Sequence, residues 1–168
     1  MDYALDANVF IEAARRYYAF AICPGFWQSL IHHHVQGHIF SIDRVKEEMA
    51  DKGDELAVWV ADQVLEACFE SSDTEEITGA YAELVAWVNE QDQFSAAAKA
   101  QFSEKADAWL IAYAKATGKV LVTHEVLRPE AKMRVPIPNV CQAFDVEYHD
   151  TFEMLKTLGA AYHWTVPA

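Results

Sequence analysis

Four carboxylates stand where the chain passes from one kind of local pattern to another. Asp6 directly follows the apolar triplet Tyr3-Ala4-Leu5, and Glu125 follows the run Lys119-Val120-Leu121-Val122-Thr123. Glu48 lies one turn into a helical stretch that begins near Asp43. Asp107 opens the otherwise apolar run Ala108-Trp109-Leu110-Ile111-Ala112-Tyr113-Ala114. Brought to one place, such acids would repel one another unless a cation lay between them. An oxygen-only set of hard ligands selects Mg2+ or Mn2+ over zinc or copper. An ion so held can clamp a phosphodiester, lower the pKa of a water and stabilise the leaving oxygen of an in-line displacement.

Each acid taken alone also has a plainer account. Asp107 could be an acid favoured by the dipole at a helix N-terminus. Glu48, flanked by Lys46 and Glu47, could be a solvated helix residue. Asp6 is the hardest to explain away, because Leu5 before it and Val9-Phe10-Ile11 after it leave it no obvious contact with water. The weight lies in the ordered combination.

The elements that must position these groups follow from hydrophobic periodicity. Tyr3 to Leu5 reads as a short buried strand, and Asn8 to Arg16 as a helix. Cys23-Pro24-Gly25-Phe26-Trp27 breaks that helix and opens another that runs to about Val35, with Gly37 as its stop. A strand over His38 to Ile42 is followed by a helix from Asp43. Gly53-Asp54 punctuates. From Asp54 to Glu70 the residues Leu56, Trp59, Val60, Val64, Cys68 and Phe69 fall at helical spacing, and Ile77, Tyr81, Leu84, Val85 and Val88 repeat the pattern. Ala96 to Ala100 leads to the helix that ends at Gly118. Lys119 to Thr123 is the clearest strand. A proline-containing loop, Arg128 to Pro138, precedes a strand over Phe144 to Tyr148 and a helix over Phe152 to Leu158. Strands alternating with helices predict an α/β fold, a three-layer α/β/α sandwich around a mostly parallel sheet. Ligands of such sheets bind outside the carboxyl ends of the strands. The acids just past a strand are Asp6, Asp43, Glu125 and Asp150, and Asp6 and Glu125 follow the most apolar ones.

The 168 residues suit one domain, 1–168, with about 54–101 as a helical insertion, and 52% hydrophobic residues exclude a disordered chain. No apolar run approaches the roughly 20 residues that span a bilayer. The acidic start Met1-Asp2-Tyr3 does not read as a signal peptide. Cys23, Cys68 and Cys141, odd in number and far apart, suit buried thiols in a reducing cytoplasm. The net charge of −13 argues against broad, nonspecific nucleic-acid binding. It leaves room for a nuclease whose own acids sit in a metal pocket, where bound cations reverse the local sign.

Four segments in order, Leu5-Asp6-Ala7-Asn8-Val9-Phe10-Ile11, Val45-Lys46-Glu47-Glu48-Met49, Ala106-Asp107-Ala108-Trp109-Leu110-Ile111-Ala112-Tyr113-Ala114 and Val122-Thr123-His124-Glu125, resemble the successive motifs of PIN domains. The resemblance spans the chain. With Cys23-Pro24-Gly25-Phe26-Trp27 and Ile137-Pro138-Asn139-Val140-Cys141 it is nearest a prokaryotic PIN-like subfamily. It implies Mg2+- or Mn2+-dependent hydrolysis of RNA phosphodiester bonds, often as the toxin of a VapC-type toxin–antitoxin pair. The implied metal ligands and catalytic acids are Asp6, Glu48, Asp107 and Glu125, with Asn8 and Thr123 in support. The implied partners are an RNA strand, an antitoxin protein and, in a homodimer, a second copy of the chain. Glu125 departs from the Asp common in PIN domains, and its longer side chain would hold metal through water or shift a second ion.

The loop residues Arg128, Lys132 and Arg134 form the densest basic cluster and would flank the crevice, where they could hold substrate phosphates. An ordinary solvated loop explains them equally well. His32-His33-His34 with His38 reads as a polar helix end, and Trp27, Trp59, Trp87 and Trp109 read as core packing. Two rival functions are a haloacid-dehalogenase-like phosphatase using Asp6 as nucleophile, and a protein-binding module of PIN fold with dormant acids. Against the first, the acid/base Asp expected two residues on is Asn8.

Overall fold

The computed structural model describes residues 1–50, 54–61 and 63–164. Gly53 lies outside them, as does the side chain of Val64. The fold is an α/β/α sandwich around a parallel five-stranded sheet, its strands in the spatial order Phe69–Glu70 (β3), Ile39–Ile42 (β2), Tyr3–Leu5 (β1), Val120–Val122 (β4) and Tyr148–His149 (β5). In chain order its elements are β1 (Tyr3–Leu5), α1 (Ala7–Glu12), a π-helical turn (Ala13–Tyr17), α2 (Pro24–Val35), β2 (Ile39–Ile42), α3 (Asp43–Ala50), α4 (Glu55–Val60), a 3-10 turn (Gln63–Cys68), β3 (Phe69–Glu70), α5 (Glu75–Glu90), α6 (Ala96–Glu104), α7 (Ala106–Thr117), β4 (Val120–Val122), α8 (Ile137–Ala143), β5 (Tyr148–His149) and α9 (Thr151–Thr157).

Two of the three inner strands, β1 and β4, are wholly buried, as expected where helices cover both faces of a parallel sheet. Helix α7 is apolar nearly all round because it too lies inside: Ala108, Leu110, Ile111, Ala112, Tyr113 and Ala114 are all buried, and α5 packs along it. It stops at Gly118, whose φ of 68° is the left-handed conformation that closes helices and that glycine adopts without steric cost. Side chains cap several other helices at their first turns. Asp54 accepts from Leu56 and Ala57, Thr74 from Ile77, Ser95 from Ala98, and Asp150 forms a capping box with Glu153.

Two expectations are corrected. The stretch 54–70 is not one helix. It is α4, a 3-10 turn and the edge strand β3, paired with β2 through Ser41–Phe69 and Ile42–Glu70, so the expected insertion also supplies a strand of the sheet. A two-residue strand is too short to show an alternation. The loop expected up to Pro138 ends instead in α8, which starts on Ile137-Pro138. Proline costs little there, since a first-turn N–H has no intrahelical partner. As a result the last strand shortens from Phe144–Tyr148 to Tyr148–His149.

Candidate functional site

β1 and β4 are neighbours, but the chain proceeds from β1 outward through β2 and from β4 outward through β5. The sheet order therefore reverses between them, and the crevice beyond their carboxyl ends is the natural ligand site of an open α/β sheet. Asp6 lies there. Its backbone N–H donates to Val122 O at 2.9 Å, tying the end of β1 to β4. Asp6 occupies the N-cap position of α1, with φ −72° and ψ 150°, yet its side chain makes no capping hydrogen bond. Instead Oδ2 accepts from Thr123 Oγ1 at 2.8 Å and from Asn8 Nδ2 at 3.3 Å.

Only 2% of Asp6 is exposed. Burial foremost, then the nearby Asp107, push its carboxyl up to about 7; the Thr123 hydrogen bond opposes this, Glu48 adds to it and Asn8 opposes it. The two donors are outweighed by lost hydration and by the two acids.

Asp6, Glu48 and Asp107 line a common cavity of about 670 Å3. Glu48 reaches it from the exposed part of α3, beside the face that buries Val45 and Met49. Asp107 reaches it from the first turn of α7, so the dipole account of this residue also holds. Burial nevertheless raises its carboxyl, against the pull of Lys105 and Arg134. The other two acids found just past a strand are structural. Asp43 accepts from Ser72 Oγ at 2.6 Å, and Asp150 caps α9.

Glu125 is not in that cavity. It is paired with Arg134, its Oε2 accepts from Ile137 N at 2.9 Å, and its side chain is 9% exposed. It lines an adjacent cavity of about 980 Å3 together with Arg128, Lys132 and Arg134. Asn8 and Arg134 border both cavities, so the two are adjacent. Thr123 links them as well, since its hydroxyl donates to Asp6 and accepts from Glu125 N at 3.1 Å. Sequence reasoning missed Arg44 and Lys105, both on the wall of the acid cavity. Arg44 was in principle findable, being one turn before Glu48 on the same helix. Its guanidinium lies 4.1 Å from the Trp109 ring centre and donates to Ser72 Oγ at 3.0 Å.

The donor chemistry of the acid cavity fits a hard divalent cation, with carboxylate oxygens from Asp6, Glu48 and Asp107 and no sulfur or imidazole among them. Among the described residues no three acids, histidines or cysteines already stand at coordinating separations.

The remaining sequence candidates are accounted for by packing. His34 Nδ1 contacts Ile39 O at 2.9 Å, and His38 pairs with Asp2. Trp27 is buried, and Trp59, Trp87 and Trp109 pack against the core. Burial pushes the Cys68 and Cys141 thiols up to about 12, so both stay protonated and inert. No helix among the described residues is long and apolar enough to cross a membrane.

A family model described as a domain of unknown function, DUF4411, matches residues 3–162. No curated protein and no solved structure matches the chain.

Proposed function

We propose that this chain, which belongs to the DUF4411 family, is a ribonuclease that hydrolyses RNA phosphodiester bonds with Mg2+ or Mn2+. The observation that carries the reading is Asp6. It is buried at the sheet's switch point, makes no capping bond to α1, and shares its cavity with Asp107 and Glu48, the two acids that raise its pKa. A fold keeps such a carboxylate only at a cost in stability, and sites where environment shifts a pKa this far are candidates for chemistry.

Asp6, Glu48 and Asp107 would hold the cation, which when bound supplies Lewis acidity and a more acidic water. Thr123 and Asn8 fix the Asp6 carboxylate. Arg44, Lys105 and Arg134 ring the same cavity and suit phosphate oxygens. Glu125, paired with Arg134, acts through that arginine by holding it at the junction of the two cavities. The phosphatase alternative is disfavoured by Asn8, whose amide is spent on Asp6 and has no acidic proton to deliver. A toxin role belongs to the same reading and would appear as growth arrest on expression, relieved by an antitoxin.

The test is hydrolysis of a single-stranded RNA and of a generic phosphate monoester, each with Mn2+ and with chelator. Cleavage of RNA alone, and only with metal, is expected. Monoester turnover alone would favour the phosphatase, and neither activity a dormant module. A further expectation concerns Arg128 and Lys132, both exposed on the wall of the larger cavity. Replacing both with Ala is expected to weaken RNA binding several-fold and flatten its salt dependence, because phosphate contacts release counterions. An unchanged salt slope would reduce them to a solvated loop.

A further inference from the structure

Two large rings near the wider cavity remain wet. Tyr17 is 51% exposed and Phe152 is 49% exposed, and they meet edge-to-face at 5.8 Å. His124 completes the cluster, 6.0 Å from Tyr17 and 6.2 Å from Phe152. Thr151 Oγ1 fixes the imidazole at Nε2, 3.0 Å away. Tyr17 and His124 line the cavity, with Phe152 supporting both rings.

The chain places Tyr17 there by a local departure from α-helix. The turn Ala13–Tyr17 is π-helical and closes with Tyr18 N donating to Ala13 O at 2.8 Å. Such insertions are rare and concentrate at functional sites. Here the turn separates two adjacent tyrosines. Tyr18, half-buried, packs against the core, stacked on Phe26 at 4.4 Å, while Tyr17 goes to the cavity.

Charge favours an anionic guest. The cavity wall carries the cations Arg16, Arg128, Lys132 and Arg134 in a chain of net charge −13. Of its three carboxylates, Glu12 pairs with Arg16 and Glu125 with Arg134, which leaves Arg128 and Lys132 against Glu130, one net positive charge. Through Asn8 and Arg134 this wall adjoins the acid cavity.

We infer that the Tyr17–His124–Phe152 cluster is a stacking platform for an unpaired base of single-stranded RNA, one step along the strand from the acid cavity. The inference rests on the ribonuclease reading. Every nucleobase has a π-face, so stacking on exposed rings needs no base sequence, while the cations track the backbone. A duplex keeps its bases stacked on each other and cannot offer one. The platform therefore selects single strands.

The test measures binding of a fluorescent single-stranded RNA oligonucleotide by anisotropy, with Mn2+ present. The background is Asp6→Asn, so that the strand is not consumed. Tyr17→Ala is expected to weaken binding about tenfold, in the range measured for loss of one base–aromatic stack, and Tyr17→Phe to restore it. Phe152→Ala is expected to weaken binding less, because that ring supports the platform from behind. Binding of an RNA duplex of equal charge should be weak and the same in all four proteins. An oligonucleotide with one abasic position at the platform should bind the parent as weakly as the intact strand binds Tyr17→Ala. Equal affinity of Tyr17→Ala and its parent for the single strand would overturn the platform, even if wild type cleaves RNA. Absence of single-strand binding in the parent would overturn it too, and would leave the exposed rings to a protein partner. Wild type that binds RNA through Tyr17 yet never cleaves would keep the platform and remove the nuclease reading.

Discussion

Asp6→Asn and Asp107→Asn are each expected to lower metal-dependent RNA cleavage by at least about a thousandfold while leaving the fold intact. A thousandfold is roughly 4 kcal/mol of barrier, a reasonable loss when a charged ligand of the reacting cation becomes a neutral amide. The fold should survive because Asn has the same shape. At position 6 its amide oxygen can still accept from Thr123 Oγ1, now 2.8 Å from the carboxylate. At position 107 the side chain is only partly buried, on the first turn of α7. Glu125→Gln should cost less, since Glu125 is paired with Arg134 and lies outside the acid cavity. Initial rates at saturating Mn2+ on one RNA, with circular dichroism as the control for folding, measure all three. If either Asn variant keeps more than a tenth of wild-type activity, that carboxylate is no ligand of the reacting metal.

The layers of the fold were legible because their signals are local and repeated. Three consecutive buried residues before Asp6, the apolar face of α5 and the apolar body of α7 each reflect burial that the sequence must encode along its whole length. Gly118 was legible as a stop because a left-handed residue favours glycine. What escaped is what local pattern does not encode. β3 pairs at Phe69 and Glu70 only because β2 lies beside it. α8 begins at a proline pair that also suits a loop.

The site divides in the same way. Four acids were expected together and three share a cavity: Asp6 at the end of β1, Asp107 in the first turn of α7, and Glu48 on the exposed part of α3. Glu125 also follows a strand, but its side chain is turned by partners from beyond the sheet. Arg134 and the N–H of Ile137 hold it, and both arrive through the loop after β4. No periodicity in the sequence marks a loop's path, so neither this pairing nor the division into two cavities could be read beforehand. Arg44 and Lys105 were passed over because a cation beside acids reads as ordinary surface charge until burial shows which acids lack water.

The acid cavity should leave a mark on stability. Asp6 has its carboxyl raised from an ordinary 3.8 to about 7, chiefly by burial and Asp107. Between these values the folded protein keeps a proton that the unfolded chain has lost. The folded state then binds more protons, so stability falls as pH rises. The contribution is fully present below about 3.8, declines through the window and is lost above about 7. At about 1.4 kcal/mol per pKa unit the ceiling is on the order of 4 kcal/mol. Asn at position 6 has no such proton. In chelator, Asp6→Asn should therefore melt above wild type at pH 8, and the difference should shrink toward acid pH. Asp107→Asn should also melt above wild type in chelator, since it removes a charge that raises Asp6. Mn2+ needs the ionised carboxylates, so it competes with the proton and its stabilisation should grow with pH up to about 7. At tenfold its Kd the ion adds roughly 1.4 kcal/mol, a rise of about 3–6 °C in Tm for a domain of this size. Both Asn variants should gain less. Thermal melts of the three proteins at pH 5, 6, 7 and 8, with chelator and with millimolar Mn2+, measure all of this. No Mn2+ shift in wild type at pH 8, together with variants that melt lower in chelator, would mean that these acids do not share a metal pocket.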